Sequence, residues 1–155
     1  MDNFIIKEIN ESEKIPFDLL LLADPSMKAI KDYISRGECY GGYIEDTIVG
    51  VYVLIKTRPF TMELVNVGIK EEFQGKGLGK RIVMDAIHRA KEEKAKTLEV
   101  GTGNSGMLQL ALYQKCGFRM KSIDKDFFKK HYEDKIVENG IECVDMVRLS
   151  LDLSN

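Results

Sequence analysis

The 155-residue chain has no tryptophan, two histidines, three prolines and three cysteines. Each scarcity excludes something. Cys39, Cys116 and Cys143 are odd in number and form no C-x-x-C pair. That argues against a disulfide framework or a thiolate metal site, and reads as reduced thiols of a cytoplasmic protein. Neither His88 nor His131 adjoins a cysteine in sequence, so a thiol–imidazole pair is disfavoured and no metal is expected. The net charge of −2 offers no polybasic field for nucleic acid or an anionic membrane. No apolar run approaches the ~18 residues of a membrane span. Residues 1–10 carry Asp2 and Glu8 and no apolar core of signal-peptide length. Internal repeats, low-complexity tracts and linkers are absent too. What is left, 44% hydrophobic and 31% charged residues, is ordinary for a globular chain, and one domain over 1–155 is expected.

Residues 62–95 organise the rest. Met62 to Ile69 is rich enough in β-branched and apolar residues for a buried strand. After Lys70 to Phe73 comes Gln74-Gly75-Lys76-Gly77-Leu78-Gly79, and then the period changes. Leu78, Ile82, Val83, Ala86, Ile87 and Ala90 fall on one helical face. A strand therefore enters a glycine-rich turn that opens a helix. Glycines let a ligand approach the main chain, and the first N–H groups of the helix have no intrahelical partner. With the helix dipole and the charges of Lys76, Lys80 and Arg81, this reads as a phosphate or pyrophosphate site. Each hydrogen bond to a charged group contributes roughly 1.5–3 kcal/mol, a large share of the about 8 kcal/mol of micromolar binding.

Two nucleotide motifs fail on residues. A Walker A loop needs Ser or Thr where Arg81 follows Gly79-Lys80, and Gly where Gln74 stands. A dinucleotide fingerprint beginning at Gly75 needs Gly where Lys80 stands. What remains, Gln74-x-x-Gly77-x-Gly79 after a strand, resembles the pyrophosphate-binding turn of the GNAT acetyltransferase superfamily.

The other segments read in order. Residues 3–9 suit a strand, 16–23 a short buried helix, and 27–36 a second helix after Asp24-Pro25-Ser26, capped by Gly37. Residues 39–44 and 48–56 form a hairpin about Glu45-Asp46-Thr47. After the long helix, 97–102 is a strand parallel to the central one, because a helix crosses between them. A helix over 107–116 leads into a strand from Gly117, residues 124–140 have no clean period, and 142–151 is a last strand. The predicted fold is α/β (α+β): a mixed, mostly antiparallel sheet with a central parallel pair and helices on both faces.

Ala111 to Phe118 carries a second signal. Its Leu112-Tyr113 pair near a helix end, followed by Gly117-Phe118, resembles the GNAT signature, and residues 38–119 follow the family order. The 124–153 segment resembles a group of small bacterial members with undefined acceptor. The resemblance implies acetyl transfer from acetyl-coenzyme A to a primary amine of a small molecule or peptide, by direct attack in a ternary complex. It also allows a homodimer, or a non-catalytic acyl-coenzyme A sensor. Cofactor contacts are then expected from Val67, Ile69, Gln74, Gly75, Lys76, Gly77, Leu78, Gly79 and Lys80, with the oxyanion donor an N–H near Val67 to Ile69.

Tyr113 matches the family tyrosine that protonates the departing thiolate; as a bare residue it also reads as a ring packed at a helix edge. Glu63, eleven residues before Gln74, matches the acid many members carry. Strict alternation puts it on the face of Val65, Val67 and Ile69, where apolar neighbours raise a carboxyl pKa toward that of a base. It equally reads as a solvated strand-end glutamate. Asn104 is the candidate for the family's coenzyme-binding Asn, but it precedes Tyr113 by nine positions where the family has seven, and Gly106 holds the seventh. A longer turn, Ser105 or Gln109 are the alternatives. Lys115 is a candidate phosphate contact or an exposed helical lysine. The acceptor walls are expected from residues 27–33 and 126–132, with Asp126 a candidate partner for a cationic amine.

Overall fold

The computed structural model describes residues 3–154; Met1, Asp2 and Asn155, which the single-domain expectation includes, lie outside the described residues. In chain order the elements are β1 (Phe4–Glu8), α1 (Phe17–Ala23), α2 (Met27–Arg36), β2 (Gly37–Ile44), β3 (Thr47–Arg58) and β4 (Thr61–Ile69). Then come α3 (Leu78–Glu92), β5 (Thr97–Gly103), α4 (Met107–Lys115), β6 (Arg119–Asp124), α5 (Phe127–His131), β7 (Val137–Glu138), β8 (Ile141–Glu142) and β9 (Met146–Asp152). Single 3₁₀ turns precede α1 and follow β4. Seven strands make one sheet in the order β1-β2-β3-β4-β5-β9-β6. Every neighbouring pair is antiparallel except β4 and β5, which α3 connects in parallel.

Alternation along β3 divides the core between the two faces. Tyr52 and Leu54 join the cluster under α3 and α4, while Val51, Val53 and Ile55 join that under α1 and α2. All six apolar positions read from the α3 sequence are buried. Residues 124–140, expected to be irregular, instead hold α5 and a two-strand hairpin. Its Asn139-Gly140 turn has φ of 56° and 73°, the left-handed pair that a two-residue hairpin loop requires. No described helix is long and apolar enough to cross a membrane.

Two irregularities of β4 make the site. It pairs with β5 only from Thr61↔Thr97 to Leu64↔Val100, and beyond that the strands separate. On its other side the register jumps from Leu54↔Leu64 to Val53↔Asn66, so Val65 is an extra residue, a β-bulge. The extra residue changes which face each side chain takes. Met62, Leu64, Val67 and Ile69 all pack with the α3 cluster, and Val65 with the α1–α2 cluster. The expected common face of Glu63, Val67 and Ile69 is therefore corrected: strict alternation does not survive the bulge.

Candidate active site

Where β4 and β5 part, two cavities meet. One, of about 240 Å³, is lined by Val67, Gly68 and Ile69 of β4, Phe73 to Gly75, Gly79 of α3, and Leu108, Gln109, Leu112 and Tyr113 of α4. The other, of about 340 Å³, lies between Leu64–Val67 and Gly101–Gly103, beneath the α1–α2 turn and the C-terminal hairpin. Leu22, Ala23, Val67, Gln109 and Tyr113 belong to both. Tyr113 thus stands at their junction.

The glycine turn is shaped as the sequence demands. Gly75 and Gly77 have φ of 75° and 81°, and a Cβ at either would meet nothing within 4 Å. Glycine serves backbone conformation there, not space. Gly77 caps α3, whose first N–H groups face outward as donors. Gln74 bridges the turn back to β4, its Nε2 donating to the Ile69 carbonyl at 3.0 Å. Of the expected coenzyme residues, Val67, Ile69, Gln74, Gly75, Gly79 and Tyr113 line the first cavity, while Lys76, Gly77, Leu78, Lys80 and Lys115 do not. Leu78 is core, and Lys76 sits over the Phe73 ring. Arg81 turns its guanidinium to the Phe4 carbonyl and ring.

Past Leu64, main-chain groups of β4 that point away from β3 have no β5 partner and face the gap. Gly68 itself answers to packing: a Cβ there would meet the Leu19 carbonyl oxygen at 2.5 Å.

Tyr113 is buried, with its ring edge-on to Phe118 at 6.0 Å. Burial first, then the Cys116 thiol, raises its hydroxyl pKa, so the proton is retained across the neutral range. Glu63 does have a raised pKa, burial leading, with Glu99 adding to it and Arg148, Arg36 and Arg58 opposing. Yet it lines neither cavity. Glu63 is desolvated but lies before the point where β4 and β5 part, in the paired stretch Thr61 to Leu64, and so stands short of Tyr113's cavities.

Asn104 lines neither cavity. Its Nδ2 donates to the Glu142 carbonyl at 3.1 Å, and its Oδ1 accepts from the N–H groups of Val144 at 2.8 Å and Asp145 at 3.0 Å. It is a clamp holding the C-terminal segment, not a cavity residue. At the seventh position before Tyr113, a Cβ on Gly106 would lie 2.6 Å from Thr102 Oγ1 and would require that side chain to shift. Of the alternatives, Gln109 lines both cavities.

The acceptor side differs in detail from the sequence reading. Phe128 and Tyr132 line the second cavity, but α2 contributes no lining; the α1–α2 turn, Ala23 to Pro25, does. Asp126 caps α5, its N–H donating to Asp145 Oδ1, outside the cavity. Asp24, Asn66 and Glu138, none of them nominated from sequence, line it instead. The Asn139-Gly140 dipeptide was the available signal for the hairpin that brings in Glu138. For Asn66 none exists without the bulge.

Comparison with known proteins agrees with this architecture. Residues 6–118 match the model of the acetyltransferase (GNAT) family. An uncharacterized N-acetyltransferase of Bacillus subtilis (strain 168), YvbK, is 59% identical over 137 residues, 88% of each chain. A B. subtilis acetyltransferase solved in complex with CoA superposes with a TM-score of 0.91 at 55% identity, covering 96% of this chain and 98% of that one. A GNAT family acetyltransferase from Elizabethkingia anophelis with acetyl-CoA bound gives 0.96 at 45% identity, covering 98% and 99%. The chain belongs to the acetyltransferase (GNAT) family.

Proposed function

We propose that this protein transfers the acetyl group of acetyl-coenzyme A to the primary amine of a small molecule. The observation that carries the reading is Tyr113 at the junction of two cavities, one ending at a glycine turn on a helix N-terminus and the other closed by the C-terminal hairpin. The first cavity suits the coenzyme: it runs beside β4 to Gly75 and Gly79 of the glycine turn, where N–H donors at the start of α3 suit a pyrophosphate. Bound there, the coenzyme supplies an activated acyl group as a thioester.

The residues then divide the work. Main-chain N–H groups of β4 between Val67 and Ile69 polarise the thioester carbonyl. Gln109 fixes the coenzyme arm, and the Tyr113 hydroxyl hydrogen-bonds the departing sulfur. The amine nitrogen forms the new C–N bond as the C–S bond breaks; the nitrogen loses one proton, and the sulfur leaves as a thiolate that the Tyr113 hydroxyl holds until water protonates it. The nitrogen's proton leaves by way of the second cavity, which Asp24 and Glu138 line and Glu63 does not. Attack is direct, in a ternary complex.

The test is thiol release from acetyl-coenzyme A against pooled polyamines, aminoglycosides, amino acids and peptide N-termini, with acetylated product identified by mass. Release confined to one pool, with a product heavier by one acetyl group, is expected. Coenzyme binding without product in any pool would favour a sensor role and overturn the transferase reading.

A further inference from the structure

The second cavity contains one polar atom that the fold leaves unused. Asn66 lines it and is only 4% exposed. Its Nδ2 donates to the Leu20 carbonyl at 3.0 Å and to the Tyr33 hydroxyl at 2.8 Å. A carbonyl only accepts, so the nitrogen must be the arm that faces it, and the amide orientation is determined. The other arm, Oδ1, is buried without a hydrogen-bond partner. Buried polar atoms are nearly always satisfied in folded proteins, so an unpartnered one in the wall of a cavity calls for a donor that the described residues do not supply.

The charge around that atom has one sign. Asp24 and Glu138 line the cavity, and no Lys, Arg or His does. Asp24 is held entirely by neutral donors: the Tyr33 hydroxyl at 3.0 Å, the Tyr132 hydroxyl at 2.8 Å and the Ser26 N–H at 3.1 Å. These bonds aim the carboxylate and leave its charge uncompensated. The rest of the wall mixes apolar side chains, Leu64, Val65, Phe128 and Met146 among them, with polar surface in about equal share. A cavity of mixed polar and apolar wall, with two carboxylates and an unpartnered acceptor, fits an aliphatic chain ending in nitrogen and rejects one ending in a carboxylate.

We propose that the acceptor is an aliphatic amine bearing a second cationic group and no carboxylate. Asn66 Oδ1 takes an N–H from it, and Asp24 with Glu138 selects its charge. The proposal rests on the acetyl-transfer reading and names the substrate class of that site. The attacking nitrogen is neutral when it reacts, so the charge that the two acids select is the one at the far end of the chain.

The test uses three six-carbon probes that differ only at one end: hexamethylenediamine, hexylamine and ε-aminocaproate. Their binding to the intact protein saturated with coenzyme A is measured by calorimetry, where no turnover intervenes. The diamine should bind at least tenfold tighter than ε-aminocaproate, with hexylamine between. Glu138→Gln, in the exposed hairpin, should shrink that ratio at least threefold with unchanged coenzyme affinity, and Asp24→Asn should shrink it further. Asn66→Leu should weaken all three probes alike. Equal binding of the three, a preference for the carboxylate, no binding of any, or a ratio indifferent to both acid substitutions would overturn the proposal. Failure of coenzyme A itself to bind would instead overturn the acetyl-transfer reading on which it rests.

Discussion

Removing one oxygen, by Tyr113→Phe, asks how the departing sulfur is stabilised. Burial raises the hydroxyl pKa above its ordinary value near 10. A thiol such as that of cysteine ionises near ~8.5. Complete proton transfer from Tyr113 to the sulfur therefore runs uphill, by about 1.4 kcal/mol for each unit separating them. The hydroxyl contributes mainly as a donor to a developing anion, about 1.5–3 kcal/mol for a charge-assisted hydrogen bond. Converted to rate, that is a loss of roughly 10- to 150-fold in kcat. The ring remains edge-on to Phe118, and hydrogen bonding is not among the influences on the hydroxyl's pKa. Stability and affinity for acetyl-coenzyme A should then stay within about twofold in binding and ~0.5 kcal/mol in folding. Steady-state thiol release at saturating acetyl-coenzyme A, beside thermal melts of both proteins, measures all three quantities. A loss below about threefold would remove Tyr113 from the chemistry, and one beyond about 1,000-fold would mean full general-acid transfer. Because the hydroxyl does not ionise near neutrality, the alkaline limb of the pH–rate profile should be the same in both proteins up to about pH 9.

Gly77→Ala places a Cβ on a residue with φ of 81°, which should cost about 1–2 kcal/mol in a thermal melt and raise KM for acetyl-coenzyme A with little change in acceptor KM. Asn104→Ala strands the N–H groups of Val144 and Asp145; folding should lose about 1–3 kcal/mol, hydrogen exchange at residues 142–145 should accelerate, and acceptor KM should rise more than coenzyme KM. Glu63→Gln should leave kcat within about threefold, because Glu63 lines neither cavity; a loss beyond tenfold would restore it as the base. The same variant has a stability signature. A carboxyl whose folded pKa is raised contributes stability that is present below its unfolded value, ~4.3, and lost as pH rises through the folded value. Since burial raises Glu63, the variant should melt higher than wild type at neutral pH, with the difference closing in acid.

The mixed sheet with its parallel β4–β5 pair and the helix α3 between them were legible from apolar content and period. β4 shows a strand's apolar content, α3 puts six apolar residues on one face, and the turn between them needs glycine for φ alone. The Leu112-Tyr113 pair was legible as a family motif, and the structure places Tyr113 where the two cavities join. The place of Asn104 was not legible, because counting residues back from Tyr113 assumes a fixed turn. Its amide instead meets the chain some forty residues later, a long-range pairing that no local pattern encodes. The hairpin at Asn139-Gly140 was local and readable from its turn residues, yet its strands are two residues each, too short to show any period.

The bulge at Val65 is the deepest reason that the acceptor side could not be read. Period-two alternation assigns every β4 side chain a face, and a single inserted residue reverses the assignment for all that follow. Before it, Met62 and Leu64 face α3; after it Val67 and Ile69 do, and Asn66 is turned toward α1 and α2, where Leu20 and Tyr33 hold its amide. The same insertion falls where pairing with β5 ends, one residue beyond Leu64↔Val100. A strand bends and twists more strongly at a bulge, so the residue that reverses the faces also helps to part the strands. One irregularity thus opens the gap, leaves β4 main-chain donors facing it, and supplies Asn66 to its wall. The chemistry of this site depends on a break in the pattern by which the rest of the sheet can be read.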